Sequence, residues 1–477
     1  MTPAGRVGAP SLRPVVVPLS GLLVAQFVSG LSGTIVATSI PTIMVTLDGP
    51  TSHGTWLVAA TILGNTATTP IWGKLGDQFS PKLLLQVAIG FFVVGSLASG
   101  FAANTSQLIA SRAMQGVGLG GLMALIMVVV ASLVAPRQRG RVNSWLTSVQ
   151  TTATIAGPVI GGFIVQAPGF GWQWCFFLGI PFAVISLVVI SATLRVVQPP
   201  RVGRPRIDWA GAILIGTGVP AVLVCVTALG EGGELGWTTL ALGGYGVVAL
   251  VAAVLVELRA PEPVVPLRLL ATRTLVLCII AAACAGSTLF GGTVFISQYL
   301  QFGLGMPPAI AGVMLVPMAF GAIITSVAAA RYMGRTGRLR PVLVMGIGML
   351  CGGHALLTVA HLAPIPLVLA GTILVASGLG ATTHNLVLAA QNTVQLGKVG
   401  AVSASVMFFF TLGGTVGLVA YGAVLTSRVS ALQAEGATLA EAYLGGMPWV
   451  FALSALVLLP ALAAVLGLPR TVLRTSV

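Results

Sequence analysis

The chain has 477 residues, of which 56% are hydrophobic and only 7% charged, with a mean hydropathy of +1.02 and a formal net charge of +14. Soluble domains carry roughly a quarter charged residues, so this composition excludes a soluble globular protein and points to a chain solvated by hydrocarbon. A nucleic-acid partner is not expected, because the positive charge follows the topology of a membrane protein.

A spanning helix needs about 20 apolar residues, and blocks of that length recur along almost the whole sequence. They predict fourteen helices, near 15–46, 54–73, 81–103, 106–134, 141–167, 173–194, 209–230, 236–258, 273–303, 307–333, 339–361, 364–393, 399–428 and 445–469. The first block follows a short basic start with Arg6, Arg13 and Pro14. It is too long for a signal-peptide core and lacks a small-residue cleavage site, which predicts a retained helix. Lysine and arginine stay on the cytoplasmic side of a membrane. With the N-terminus inside, all but two of the 23 basic residues fall in cytoplasmic segments, the exceptions being Arg112 within the fourth helix and Arg428 at an outer end. Asp48, Glu231, Glu234, Glu435 and Glu441 fall outside. Both termini are therefore expected in the cytoplasm, and an odd helix count does not fit.

Each flank of the chain carries a basic turn after its second helix, "GKLGDQFSPK" in the first and "RYMGRTGRLRP" in the second. This predicts an all-α integral membrane protein of two six-helix halves, 15–194 and 273–469, around two inserted helices and their linkers at 195–272. Residues 1–14 and 470–477 are cytoplasmic tails in this scheme. Duplicated halves that rock about a central cavity are an architecture of secondary transporters. Cys175, Cys225, Cys278, Cys284 and Cys351 lie in or at apolar helices without metal-ligand spacing and read as packing residues. There is no P-loop, Gly-x-Ser-x-Gly elbow or His-Glu-x-x-His pair. No cofactor, metal or enzymatic activity is expected.

Within "GKLGDQFSPKLLL", Ser80 and Pro81 suit the start of the third helix, a hydroxyl capping free donors and a proline needing none. Asp77 then lies near a positive helix end, and Gly73 and Gly76 allow a tight turn. Capping plus positive-inside lysines is one reading of this stretch. Arg112 costs roughly 2.5–3.5 kcal/mol to place inside a spanning helix, so it should face the bundle interior, with Gln115 three residues on and on the same face. Gly116 and Gly120, and again Gly157 and Gly161, are four apart and give smooth helix faces; Pro158 removes a donor and bends its helix. Polar residues in otherwise apolar helices are the substrate-cavity candidates: Gln26, Thr34, Thr38, Asn65, Asn143, Gln150, Gln298, Gln301, His384, Asn385, Gln391 and Asn392. Phe27, Phe290, Phe295, Tyr299 and Phe408 offer aromatic cover or core packing.

Residues 73–85 resemble the loop motif of the major facilitator superfamily, Gly-x-Leu-x-Asp-x-x-Gly-Arg-Lys, with Gly73, Leu75, Asp77 and Lys82 matching and Gln78, Ser80 and Pro81 departing. "LIASRAMQGVGLGG" resembles the family's fourth-helix motif through Arg112, Gln115, Gly116 and Gly120, and "ATIAGPVIGGFI" resembles the fifth-helix motif of its antiporters through Gly157, Pro158, Gly161 and Gly162. "WQWCFFLGIPFAV", "IDWAGAILI" and "ISQYLQFGLGMPPAIAGVMLVPMAFG" are similar to the fourteen-helix drug:proton antiporter branch. The resemblance implies that Asp77, with Lys82 in its charge cluster, latches the two halves and steadies an outward-open state. Gly334 stands where the second half often carries an Asp, so one carboxylate latch is expected. For Arg112 and Gln115 it implies proton handling or coupling. Ser32 stands near the position where that branch often carries an acid, and no carboxylate lies well inside a predicted helix; His384 and Asp48 are the remaining coupling candidates. The implied function is efflux of a lipophilic small molecule across a bacterial cell membrane by alternating access, coupled to protons, by a monomer. A lipid or metabolite exporter needing no buried acid, and a transport-dead membrane receptor, are the alternatives.

Overall fold

The computed structural model describes residues 16–36, 39–48, 52–167, 169, 171–195, 208–230, 236–260, 263, 272–470 and 473. Twelve of its helices are long and apolar enough to cross a bilayer. In chain order the first half holds α1 (Val16–Thr34) with its short continuation α2 (Ile40–Thr46), α3 (Ser52–Gln78), α4 (Pro81–Gly100), α5 (Thr105–Leu133), α6 (Pro136–Gln166) and the broken pair α7 (Trp174–Phe177) and α8 (Gly179–Thr193). The inserted hairpin is α9 (Trp209–Gly230) and α10 (Trp237–Arg259). The second half holds α11 (Arg273–Gln298), which runs into a π-helical turn at Tyr299–Gly303, then α12 (Pro308–Met314), α13 (Val316–Thr336), α14 (Arg340–Thr358), α15 (Pro364–Gln391), α16 (Val399–Ala434) and α17 (Leu439–Leu466). With α3 and α9, which fall outside the twelve, the described helices make up the fourteen segments expected. Polar residues such as His53, Asn65, Lys74, Asp77 and Gln78 lower the hydropathy of α3.

The halves pack alike. In the first, α3 and α4 lie against α5, α1 against α6 and α8, and α4 against α8. In the second, α13 and α14 lie against α15, α11 against α16 and α17, and α14 against α17. The cross-half contacts obey the same pseudo-twofold relation, α3 on α16 matching α13 on α6 and α5 on α16 matching α15 on α6. Small residues let these helices approach closely. A Cβ on Gly95 would sit 2.6 Å from the Gln115 backbone nitrogen, and one on Gly120 would sit 2.7 Å from the Asn65 carbonyl. Lipid offers no hydrophobic drive between helices, so association rests on this closeness and on buried hydrogen bonds.

Several boundaries correct the sequence reading. α3 does not stop at 73 but continues to Gln78, so Gly73, Gly76 and Asp77 are helical and the chain turns only at Phe79–Ser80. Ser80 is extended and precedes Pro81 at the first turn of α4, but its hydroxyl makes no capping bond. α6 begins at Pro136 rather than 141, which brings Arg137, Arg139 and Arg141 into its first turns.

Candidate functional site: the seam between the halves

At the arginine-rich end, α3 of the first half meets the start of α16 of the second. Gly73 and Gly400 allow it: a Cβ on Gly73 would lie 2.7 Å from the Gly400 carbonyl, and one on Gly400 would lie 2.6 Å from Asp77 Oδ1. That approach sets the Asp77 carboxylate over the first turn of α16, where Gly400 N–H donates to Oδ1 and Ala401 N–H to Oδ2, both at 2.7 Å. The carboxylate thus serves a helix N-terminus in the other half. Charge-assisted bonds to free backbone donors are short and strong, and the helix dipole adds to them.

The symmetry-related seam is joined with the opposite charge. Arg137, in the first turn of α6, donates from Nε to the Gly334 carbonyl at 3.2 Å and from Nη2 to the Arg335 carbonyl at 3.0 Å. A guanidinium at the C-terminal end of α13 sits where the dipole is negative. Gly334, in place of a carboxylate, contributes its carbonyl.

Between the two seams lies a buried polar cluster. Arg139 is 3% exposed and donates to the Ala131 carbonyl at 2.6 Å, the Val134 carbonyl at 2.8 Å and, across the halves, to Gln391 Oε1 at 3.1 Å. Gln391 passes its amide on to Ser403 Oγ at 2.8 Å. One helical turn further along α6, Asn143 donates to the His384 carbonyl at 3.2 Å and Thr147 Oγ1 lies 3.0 Å from His384 Nδ1. Gln391→Ala should leave the buried Arg139 short of an acceptor. We expect a loss of roughly 1–3 kcal/mol, the usual cost of an orphaned buried polar group, read as a lowered melting temperature in detergent. An unchanged melting temperature would remove this cluster from the inter-half contact.

A second buried site lies within the first half. Arg112 is 1% exposed; its Nε donates to the Leu57 carbonyl at 3.1 Å, its Nη1 donates to Gln115 Oε1, and its guanidinium carbon lies 5.8 Å from the Phe176 ring centre. Gln115 in turn donates to Ser96 Oγ at 2.7 Å. Every polar atom named here is neutral, so the cation is held by dipoles and a ring face.

The remaining candidates scatter. Gln26 and Gln150 pair across α1 and α6 at 2.6 Å. Asn65 donates to Met123 Sδ at 3.3 Å and accepts from Thr69 at 3.1 Å. Thr34 bonds its own helix through Gly30 and backs onto Gly157, with the exposed Pro158 beside it and the buried Gly161 and half-buried Gly162 a turn on. Gly116 packs on Thr61 and Asn65 of α3. Gln298, at the end of α11, and Gln301, in the π-helical turn that follows, are half-buried, and Gln301 bonds Ser297. Asn385 bonds the Ala381 carbonyl, and Asn392 follows the end of α15. Asp48 is exposed, in a left-handed conformation with φ of 46°. Thr38 and the Phe290 side chain lie outside the described residues. Phe27, Phe295, Tyr299 and Phe408 each pack on a further aromatic ring.

Lys82 donates to the Ser191 carbonyl at 2.6 Å, tying α4 to α8 within one half. A second buried histidine, His354 of α14, is 1% exposed with Nδ1 2.9 Å from the Leu350 carbonyl. Arg139 and Ser403 were not singled out from sequence. Arg139 read as one more cytoplasmic charge, and only the earlier start of α6 buries it.

A family model described as Major Facilitator Superfamily matches residues 22–418. The chain belongs to the major facilitator superfamily. It is a transporter and not an enzyme. The multidrug transporter protein MdtP of Bacillus subtilis is 31% identical over 415 residues, which cover 86% of this chain and 75% of that protein. The efflux pump dotC of Dothistroma septosporum is 31% identical over 351 residues, 72% of this chain and 59% of the pump. An uncharacterized MFS-type transporter of Mycobacterium tuberculosis is 29% identical over 434 residues, 88% of this chain and 61% of that protein. The chain thus spans three quarters of the Bacillus relative and about three fifths of the other two. Among solved structures, a bacterial homologue of the iron transporter ferroportin in an outward-facing state aligns with a TM-score of 0.65 at 14% identity, covering 94% of this chain and 98% of that one. The proton:xylose symporter XylE aligns with a TM-score of 0.60 at 13% identity, covering 93% and 95%. These two share the fold.

Proposed function

We propose that this protein exports lipophilic small molecules by alternating access, driven by protons, and that the arrangement described has the cytoplasmic gate closed. The observation that carries the reading is the Asp77 carboxylate on the first turn of α16, a contact between halves that a rocking transporter must break to open inward. The arginine-rich end is the cytoplasmic one, with both termini there, by the positive-inside rule. Kinship with a multidrug transporter and an efflux pump supports outward movement. The two six-helix halves are the moving units and α9–α10 an insertion between them. One chain carries both, so a monomer suffices. Arg112 with Gln115, and His384 against Thr147, are the proton-coupling candidates, Asp48 being exposed. The Gln26–Gln150 pair and Asn65 are the polar groups we assign to cargo.

The neutrality of these groups favours uncharged cargo over cations, since a buried cation needs a compensating partner. Purified protein in vesicles, with ethidium and an uncharged lipophilic dye compared with and without a pH gradient, tests this. Flux of the uncharged dye that rises with the gradient is expected. Flux indifferent to it would leave an uncoupled exporter of lipid or metabolite, and no flux of either would remove the export reading. His384→Ala should reduce the gradient-dependent part if this residue carries the proton, and leave it intact if the Thr147 contact is only structural.

A further inference from the structure

The pseudo-twofold relation gives the molecule two equivalent seams between its halves, α3 with α16 and α13 with α6. They are not covered alike. α9 packs on both α3 and α16, so it lies across the first seam. Its buried residues Ala212, Ile215, Val219 and Leu223 recur at helical spacing and meet Phe408 of α16, with Leu63 and Ile71 of α3 and Leu412 of α16 packed against the same cluster. The opposite face of α9 is open, Ile213 being 60% exposed.

α10 packs along α9, and its Ala253 joins the same buried cluster. Gly218 and Gly246 let the two helices touch, a Cβ on Gly246 lying 2.8 Å from the Val222 backbone nitrogen, and Tyr245 Oη donates to Thr217 Oγ1 at 2.9 Å. The hairpin is thus a tight unit that meets the seam with aliphatic side chains, against Phe408 of α16. Such contacts are non-directional and tolerate the small sliding that packed helices show in shear motions. At the other seam α6 and α13 meet through Gly140 and Met333, and both helices carry exposed apolar residues, Val159 and Phe163 on α6 and Phe320 and Ile324 on α13.

We propose that the α9–α10 hairpin is a sliding seal, which keeps acyl chains and membrane-dissolved molecules out of the α3/α16 seam while the halves rock. Lipid-side entry is then confined to the α6/α13 seam. On the export reading, cargo from the inner leaflet enters there. A one-sided seal accounts for a hairpin that bridges both halves without belonging to either repeat.

The test uses the full chain grown with photo-leucine and photo-methionine, diazirine isosteres that need no mutation at the probed sites, in phosphatidylethanolamine–phosphatidylglycerol vesicles. After irradiation, acyl-chain adducts are mapped by mass spectrometry at Met333 for one seam and at Leu63 and Leu412 for the other. In Asp77→Asn, where the gate contact is weakened, adducts at Met333 are expected to rise about five-fold, a coupling at the low end of the usual range, while Leu63 and Leu412 stay at the wild-type level. Ile215→Ser with Val219→Ser should loosen the seal and raise adducts at Leu63 and Leu412; if that variant does not fold, the comparison of Asp77→Asn with wild type decides alone. Equal gains at both seams, gains at Leu63 and Leu412 alone, or no gain at either would overturn the proposal. Adducts are counted without cargo, so a chain that exports nothing can still show the asymmetry. Export with symmetrical lipid entry would refute the seal and not the export.

Discussion

Asp77→Asn is expected to lower the initial rate of dye export by about an order of magnitude, the effect of losing roughly 1–2 kcal/mol of charge–dipole attraction at a partly buried helix end. The wild-type carboxylate offers an oxygen to each of two backbone donors, at 2.7 Å. An asparagine offers one oxygen, turns an N–H₂ toward the other donor and carries no charge. The closed gate is then populated less, and the protein spends more time open to the cytoplasm, where it rebinds rather than releases. Gly400→Leu attacks the same contact by volume, since its Cβ alone would come within 2.6 Å of Asp77 Oδ1, and should be at least as damaging. Both are read as export rate together with cytoplasmic-side accessibility of a cysteine placed at Ala404. Wild-type export with wild-type accessibility in Asp77→Asn would show that the contact does not hold the gate.

What the sequence could announce was set by local chemistry. Apolar length marks a spanning segment wherever it occurs, so the fourteen segments were legible, and even α1 with its break was enclosed in one block. Boundaries failed where a spanning helix runs on past the hydrocarbon. Gly-Lys-Leu-Gly-Asp looks like a turn because its residues are polar and flexible, yet the i-to-i+4 ladder of α3 continues through it to Gln78. The partner of Asp77 was out of reach for a related reason, because Gly400 and Ala401 contribute backbone donors and carry no side-chain mark. Arg112 stood out because a charge within an apolar block is rare. Arg139 did not, since a basic residue at a segment end is the common case. One of its three acceptors is Gln391, 252 residues away in the other half, and nothing local encodes that pairing.

Arg112→Ala should be the most disruptive single change outside the seams. It strips the donor from Gln115 Oε1, an orphaned buried acceptor that costs about 1–3 kcal/mol, and it cuts the tie from α5 to the Leu57 carbonyl, which keeps the Thr61 hydroxyl as a donor. It also empties the volume of a long side chain beneath the Phe176 ring. A sharply lower melting temperature and no measurable export are expected. Arg112→Lys separates scaffold from coupling. An ammonium on a single stem lacks the planar fork that reaches both acceptors, yet it retains the charge and most of the volume, so melting should recover more than export does. If the guanidinium takes part in proton handling, the residual export of Arg112→Lys will have lost its dependence on the pH gradient. If it only pins α5 to α3, that dependence will survive at a lower rate. Wild-type melting and wild-type export in both variants would mean that the buried cation serves neither role, and that its Leu57 and Gln115 contacts can be replaced by repacking of the surrounding helices.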